Sequence, residues 1–247
     1  MINKVFQKIR NKVADGYYAI NNSAGCWCPV CEQGFRRFLS RAIGNNFDRD
    51  DCECPHCGCS ERHRLAWLVL NQKTDFFSSQ PRKMLHVAPE GFFLSKFQEA
   101  IGEGYITADL MNPKVMVKMD ITDIQYPEES FDIVYCSHVL EHVSDDRKAM
   151  REFARVLKKD GWAFLQVPLF LEKTEEDPTI TDPAERLRRF GQEDHLRLYG
   201  PDFVDRLQEA GFVVKMYKAS DVASPEEIKR MGLFNRETGE VYICTRG

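Results

Sequence analysis

Two pairs of cysteines, Cys28-Pro29-Val30-Cys31 and Cys54-Pro55-His56-Cys57, have the spacing that grips a metal ion. A CxxC turn aims two thiolates at one point, and two such turns complete a tetrahedral four-sulfur shell for zinc. Pro29, Pro55 and Gly58 suit the tight turns this needs. Four thiolates leave no open position on the metal, so the spacing predicts a structural zinc site on Cys28, Cys31, Cys54 and Cys57. Cys26, Cys52 and Cys59 are spare thiols beside it, and His56 and His63 are close by, so a swapped ligand or a second metal stays open. Of the 9 cysteines, only Cys136 and Cys244 fall outside this region. A disulfide scaffold would be short, secreted and spread along the chain, whereas a local cluster in a cytoplasmic protein reads as metal binding.

A second set of residues could hold a nucleotide-like cofactor. In MLHVAPEGFF, Gly91 is present, but Ala88 and Glu90 stand where glycines are usual in a phosphate- or cofactor-cradling loop. Asp109 ends the next strand-like segment, 18 residues after Gly91, where a carboxylate can hold the two hydroxyls of a ribose. Asp120 follows a third such segment, where it can accept from an adenine amino group. A third set could act on an acceptor. His195, Arg197 and Tyr199 alternate, so an extended chain puts them on one side. His195 is then a candidate base, with Arg197 and Tyr199 orienting a polar or anionic substrate. His138 and His142, near the end of the fourth strand, are the rival bases, with His142 reading better as a helix-side contact; His86 reads as a core or loop-bracing residue. The Glu172–Asp177 run reads as a solvated face, and Arg186, Arg188 and Arg189 as an exposed helix surface.

These residues need elements to position them. From residue 83 strand-like and helix-like segments alternate: MLHVA, GFFLSKFQEAI, YITADL, KVMVKMDI, FDIVYCS, a helix from Asp145 to about Lys159 with Ser144 as its N-cap and Gly161 as its stop, then WAFLQVP. Such repeats predict a parallel sheet with helices on both faces. Residues 169–200 are polar and break the rhythm, with a short helix capped by Asp182, opened by Pro183 and stopped by Gly191. DFVDRLQEA, FVVKMYK, a capping box at Ser224–Glu227 and EVYICT complete the chain. Upstream, ERHRLAWLVLNQKTDFF predicts a helix, and Val5, Ile9 and Val13 recur at helical spacing. The break at Ser79-Gln80-Pro81 divides a helix and zinc module (1–80) from the α/β domain (81–247).

At FDIVYCSHVLEHVSD (131–145) and RVLKKDG (155–161) the chain resembles the class I S-adenosylmethionine-dependent methyltransferases, in particular the type 11-like group. That resemblance implies a Rossmann-like, seven-stranded, mostly parallel sheet whose sixth and seventh strands pair antiparallel, and S-adenosylmethionine as cofactor. It implies that Ala88, Glu90 and Gly91 form the loop under the methionine moiety, that Asp109 binds the ribose with Leu110 beside it, and that Asp120 and Ile121 flank the adenine. Ser137 and His138 then line the cofactor. The departure from the family is in the first loop, where His86 replaces an acidic residue and Pro89 removes a backbone donor. Some ribosomal RNA guanine methyltransferases also carry a cysteine zinc module ahead of this domain.

The net charge of −4 argues against a nucleic-acid partner, which needs a basic face. No apolar run approaches the roughly 18 residues of a membrane helix, and the opening residues lack a secretion signal, so a cytoplasmic protein is expected. The expected activity is methyl transfer to an oxygen or nitrogen of a small-molecule or sugar-type acceptor. The alternatives are an RNA methyltransferase whose zinc module grips the nucleic acid, and a non-catalytic scaffold.

Overall fold

The structure, a computed structural model, describes residues 25–43, 47–234 and 238–247. The helix expected around Val5, Ile9 and Val13 lies outside them. Two compact units are present. Residues up to Phe76 group with the segment from Lys218 to Thr238, and Phe77–Tyr217 groups with Gly239–Gly247.

The first unit is built from short pieces. Strands β1 (Cys26–Cys28) and β2 (Gln33–Phe35) form one antiparallel hairpin, and β3 (Leu39–Ile43) and β4 (Phe47–Glu53) another. Helix α1 (Glu61–Lys73) follows; it starts where ERHRLAWLVLNQKTDFF predicts but ends at Lys73, before the TDFF stretch. At its start the Ser60 N–H donates to Nδ1 of His63 at 2.9 Å, which holds the first turn from inside the unit. Arg64 is fully buried in this unit: Nε donates to the Met231 carbonyl, Nη1 donates to the carbonyls of Cys52 and Cys59, and the guanidinium stacks 3.8 Å over the Phe38 ring. Glu61 is also buried and pairs with Arg49. The ERHR segment therefore turns Glu61, His63 and Arg64 inward, where each ties helix to loop.

The second unit is the expected α/β sheet. Seven strands run in the order β12-β13-β9-β8-β5-β6-β7. They are β5 (Met84–Val87), β6 (Tyr105–Asp109), β7 (Val117–Lys118), β8 (Phe131–Ser137), β9 (Leu157–Gln166), β12 (Phe212–Tyr217) and β13 (Val241–Arg246). β5 to β9 are parallel; β13 is antiparallel to β9 and β12 antiparallel to β13, so β13 alone opposes the common direction. The order reverses at β5, and right-handed crossovers then place helix α2 (Gly91–Ile101) and helix α3 (Asp146–Val156) on opposite faces. The side chains agree. His86 meets Phe97 and Tyr135, with Phe93 and Phe97 stacked at 4.8 Å, on the α2 face. Leu85, Val87, Val134 and Cys136 alternate onto the other face and cluster with Met150 and Phe153 of α3. β8 is buried along nearly its whole length, as a central parallel strand must be.

Two local expectations change. α3 is capped by Asp145, whose carboxylate accepts from the Lys148 N–H at 2.8 Å, and not by Ser144. α3 also ends at Val156, earlier than Lys159, because β9 already begins at Leu157. Leu157 pairs with Phe131 and Trp162 with Ile133, so residues 158–161 bulge from the ladder. Gly161 serves that bulge: a Cβ there would sit 2.6 Å from the Asp132 carbonyl. The polar segment 169–200 holds β10 (Glu175–Glu176) paired with β11 (Arg197–Leu198), and helix α4 (Pro183–Phe190). α4 has the expected Asp182 cap and a left-handed Gly191 at φ 83°. Helix α5 (Phe203–Glu209) belongs to this unit, and helix α6 (Pro225–Arg230), with its Ser224–Glu227 capping box, to the first.

Candidate functional site

The cysteine cluster is built by two matching turns. The Glu32 N–H donates to the Cys28 carbonyl at 2.8 Å, and the Gly58 N–H donates to the Cys54 carbonyl at 2.9 Å. Each turn needs a left-handed residue after its second cysteine: Gly58 supplies it at φ 79°, Glu32 at φ 57°. The turns bring the sulfurs of Cys28, Cys31, Cys54 and Cys57 within 4.8 Å of one another. Cys31 and Cys54 stand 3.6 Å apart, Cys28 and Cys57 3.8 Å. A tetrahedral shell with Zn–S bonds of about 2.3 Å separates its sulfurs by about 3.8 Å, so the set has the right size. Cys59, spare in the sequence, is buried with its sulfur 3.4 Å from that of Cys28. Hydrogen bonds from Cys28, Cys31 and Cys59 pull Cys57 down to about 4, and burial pushes Cys59 up.

In the sheet unit, the predicted cofactor residues converge on one edge. Val87 pairs with Ala108 on one side and Cys136 on the other, which sets Ala88 beside Asp109 and Ser137 at the C-terminal ends of β5, β6 and β8. Asp109 is opposite Lys118, two residues before Asp120. This is the edge where open α/β sheets take their ligands. Ala88 adopts φ 47°, so the residue standing in a glycine's place also adopts a glycine's conformation. Leu110 is exposed beside Asp109, whereas Ile121 is buried beside the exposed Asp120. Asp109 Oδ1 accepts from the N–H groups of Met111 and Asn112, both at 2.7 Å, which fixes the carboxylate at the loop mouth. Asp120 accepts from the N–H and hydroxyl of Thr122.

The His86 substitution has a structural answer. Its ring lies between Tyr105, 2.7 Å from Nδ1, and Glu90, whose carboxylate accepts from Nε2 at 3.0 Å. His86 braces the loop, as its strand position suggested, and holds Glu90 at the N-cap position of α2, with Gly91 as the first helical residue. At the end of β8, Ser137 donates to Gln166 Oε1 at 3.3 Å, and the buried Nε2 of Gln166 has no hydrogen-bond partner among the described residues. His138 follows with φ 54° and its Nδ1 3.4 Å from Glu141 Oε1. An orphaned donor and two left-handed turns at one sheet edge fit a polar cofactor.

The acceptor residues are arranged differently from the expectation. His195, Arg197 and Tyr199 do share one side of the extended segment, but that side faces inward and all three are buried. Arg197 donates to the carbonyls of Leu140, Val143 and Ser144, and its Nε donates to Glu176 at 3.0 Å. Tyr199 donates to Asp146 Oδ2 at 2.7 Å, and burial pushes its phenol well above the usual range. With polar atoms bonded to the 140–146 turn, Arg197 and Tyr199 position that turn. The Glu172–Asp177 run is also not merely a solvated face: Glu176 bridges Arg197 and Arg206, and Glu175 and Asp177 pair with Arg189. Arg189 correspondingly leaves the exposed group, whereas Arg188 pairs with Glu185 of its own helix. His195 donates from Nδ1 to the Phe190 carbonyl at 2.9 Å, and burial lowers its pKa. Burial alone would raise the Glu141 carboxyl, but the hydrogen bond and charge of His138 leave it lowered. Glu141, not singled out as a chemical residue from sequence, and His142, a rival base there, stand beside His195, the two histidine rings edge to face at 4.7 Å. The signal for Glu141 was in the VLEHV motif itself, where it follows the candidate base His138 by three residues.

Residues 98–165 match the family described as a methyltransferase domain. The match spans the part of the sheet that carries Asp109, Asp120, Ser137 and His138. The chain is similar to an uncharacterized methyltransferase of Bacillus subtilis (strain 168), YcgJ: 42% identical over 74 residues, 30% of this chain and 28% of that protein. It is also similar to ajmaline N-methyltransferase of Rauvolfia serpentina, 29% identical over 115 residues, 43% of this chain and 40% of that protein. The similarity thus spans well under half the length of either relative. The crystal structure of YcgJ aligns with 75% of this chain and 99% of its own, at 17% identity and a TM-score of 0.47. Among the described residues, no helix is long and apolar enough to cross a membrane.

Proposed function

We propose that this chain transfers a methyl group from S-adenosylmethionine to an oxygen or nitrogen of a small-molecule or sugar-type acceptor, and that zinc organises its cysteine unit. The observation carrying the first part is the convergence of Ala88, Asp109, Asp120, Ser137 and His138 on one sheet edge, inside and beside the region that matches a methyltransferase domain. When bound, the cofactor supplies an electrophilic methyl on a sulfonium. The chain does the rest. Asp109 holds the ribose hydroxyls beside Leu110, Asp120 and Ile121 bracket the adenine, and the Ala88–Glu90–Gly91 loop lies under the methionine moiety. Ser137 and the orphaned Gln166 amide offer polar contacts at the inner wall.

His138 is the better placed of the two candidate bases. It is 20% exposed at the strand end, and Glu141 holds its Nδ1, which makes Nε2 the nitrogen to take a proton from the acceptor. His195 is buried. Arg197 and Tyr199 fix the turn that carries Glu141. The S4 geometry and the two paired turns support zinc at Cys28, Cys31, Cys54 and Cys57, and cysteines left unpaired throughout the described fold suit a cytoplasmic setting. Arg64, buried among carbonyls, is not available to grip RNA.

Calorimetric titration with S-adenosylmethionine and its demethylated product tests the cofactor. Both bind, and Asp109→Ala weakens each by about 1–3 kcal/mol through lost charge-assisted hydrogen bonds. Unchanged affinity in Asp109→Ala removes the ribose assignment; no binding to wild type removes the methyl-transfer reading.

A further inference from the structure

We propose that Glu141, His142 and His195 form a divalent-cation site at the end of β8, distinct from the cysteine cluster. One ligand atom from each lies within 4.8 Å of the other two. The orientation of each group points the same way. His195 donates from Nδ1 to the Phe190 carbonyl, which can only accept, so its Nε2 carries a lone pair. That Nε2 is buried with no hydrogen-bond partner among the described residues. His142 repeats the arrangement, with Nδ1 3.1 Å from the Asp194 carboxylate. Glu141 sets Oε1 toward His138 and leaves Oε2 buried and likewise unpartnered.

A buried lone pair and a buried carboxylate oxygen, each without a partner among the described residues, are unfavourable as they stand, since each has left water without a replacement. A cation satisfies both at once. Histidines that donate their other ring nitrogen to a carbonyl or carboxylate are the form in which proteins present imidazole to a metal. Two imidazoles and one carboxylate, with positions left open, suit iron(II), manganese(II) and similar ions. His142 is 31% exposed and Asp194 71%, so the ion has a route from solvent.

The use of the ion rests on the methyl-transfer reading. Its site shares Glu141 with the candidate base His138, so a bound cation selects acceptors with a hydroxyl oxygen, whose proton a Lewis acid makes easier to remove. The site itself does not depend on that reading.

The test is an electron paramagnetic resonance titration of zinc-loaded protein with Mn²⁺ alone, an ion that thiolates bind poorly. Wild type takes up a single Mn²⁺ per chain with loss of the free-ion signal. His142→Gln weakens uptake by about 10-fold or more, and Asp194→Asn, on an exposed outer partner, by about 10-fold. Both are surface-accessible changes that leave the fold in place, and near-ultraviolet circular dichroism verifies this; Glu141→Gln and His195→Gln extend the series. No uptake by wild type, or uptake unchanged in both His142→Gln and Asp194→Asn, overturns the site. Mn²⁺ uptake in a protein that binds no S-adenosylmethionine upholds the site and overturns the methyl-transfer reading instead.

Discussion

The cysteine unit and the sheet unit reach a buried interior by opposite routes. The sheet unit closes on apolar side chains on both faces, among them Leu85, Val134, Phe153, Leu165 and Tyr242 on one and Phe93, Phe97 and Phe164 on the other. The cysteine unit relies on strands of 3–7 residues. It buries sulfurs alongside Glu61, His63 and Arg64. An apolar core forms wherever the pattern brings oily faces together. A buried arginine with carbonyl acceptors forms only when the loops carrying those carbonyls are already held. Two of the three carbonyls that Arg64 uses belong to Cys52 and Cys59, which flank the second knuckle. The cysteine unit should therefore depend on its metal, and the sheet unit should not.

The largest effect tests that difference directly. Removing the metal with a chelator, or making Cys54→Ser, unfolds residues 25–60. Structural zinc sites contribute about 10–16 kcal/mol to folding at neutral pH, so little structure should survive there. Limited proteolysis should cut within 25–60 while the sheet unit persists, and elemental analysis should find zinc in the untreated protein. If that segment resists protease after chelation and no zinc is found, the two units are alike and the contrast fails.

A smaller effect probes the sheet unit where it resembles the other, at a buried charge network. Asp146 accepts from Tyr199 at 2.7 Å and from Arg206 at 2.8 Å, with Arg197 3.8 Å away. Asp146→Ala leaves two buried guanidinium groups short of a counter-charge, and breaking such a pair costs about 3–5 kcal/mol. Thermal unfolding of the sheet unit should shift down accordingly, with the cysteine unit's zinc content unchanged. A shift no larger than that of a surface carboxylate would show that Glu176 alone neutralises both arginines.

This network also marks where sequence reading stopped. The sheet was legible because period and length carry it: FDIVYCS can only be a buried strand in that setting, and the Asp182, Pro183 and Gly191 punctuation bounds α4 as written. The knuckles were legible because metal geometry constrains spacing. The edge residues Asp109 and Asp120 follow from strand ends. What did not show was the pairing of segments distant in the chain. Glu176 and Arg206 are 30 residues apart, and nothing local distinguishes Glu176 from a solvated carboxylate. Arg197 and Tyr199 alternated as expected, but period alone does not say which side of a strand faces in. α3 was drawn too long because Leu157–Gly161 reads as a last helical turn, whereas the strand-pairing partner Phe131 takes Leu157.

The smallest effect concerns pH and the rim of that network. Burial would raise the Glu176 carboxyl, but its hydrogen bonds to Arg206 and Arg197 outweigh this and bring it from 4.5 down to about 2. A carboxyl whose folded pKa lies below its unfolded value stabilises the fold at all pH above the unfolded value. That contribution is lost as pH falls from about 4.5 toward 2. Glu176 is 35% exposed, so solvent screens the pair and the loss amounts to about 1 kcal/mol or less. Chemical denaturation of the sheet unit should therefore weaken through that window, and Glu176→Gln should flatten the dependence there while lowering stability at neutral pH. If the variant keeps the full acid dependence, the titrating group is another carboxylate. The bridge from β10 to Arg197 and Arg206 would then be set by packing, as in the apolar core, and not by charge.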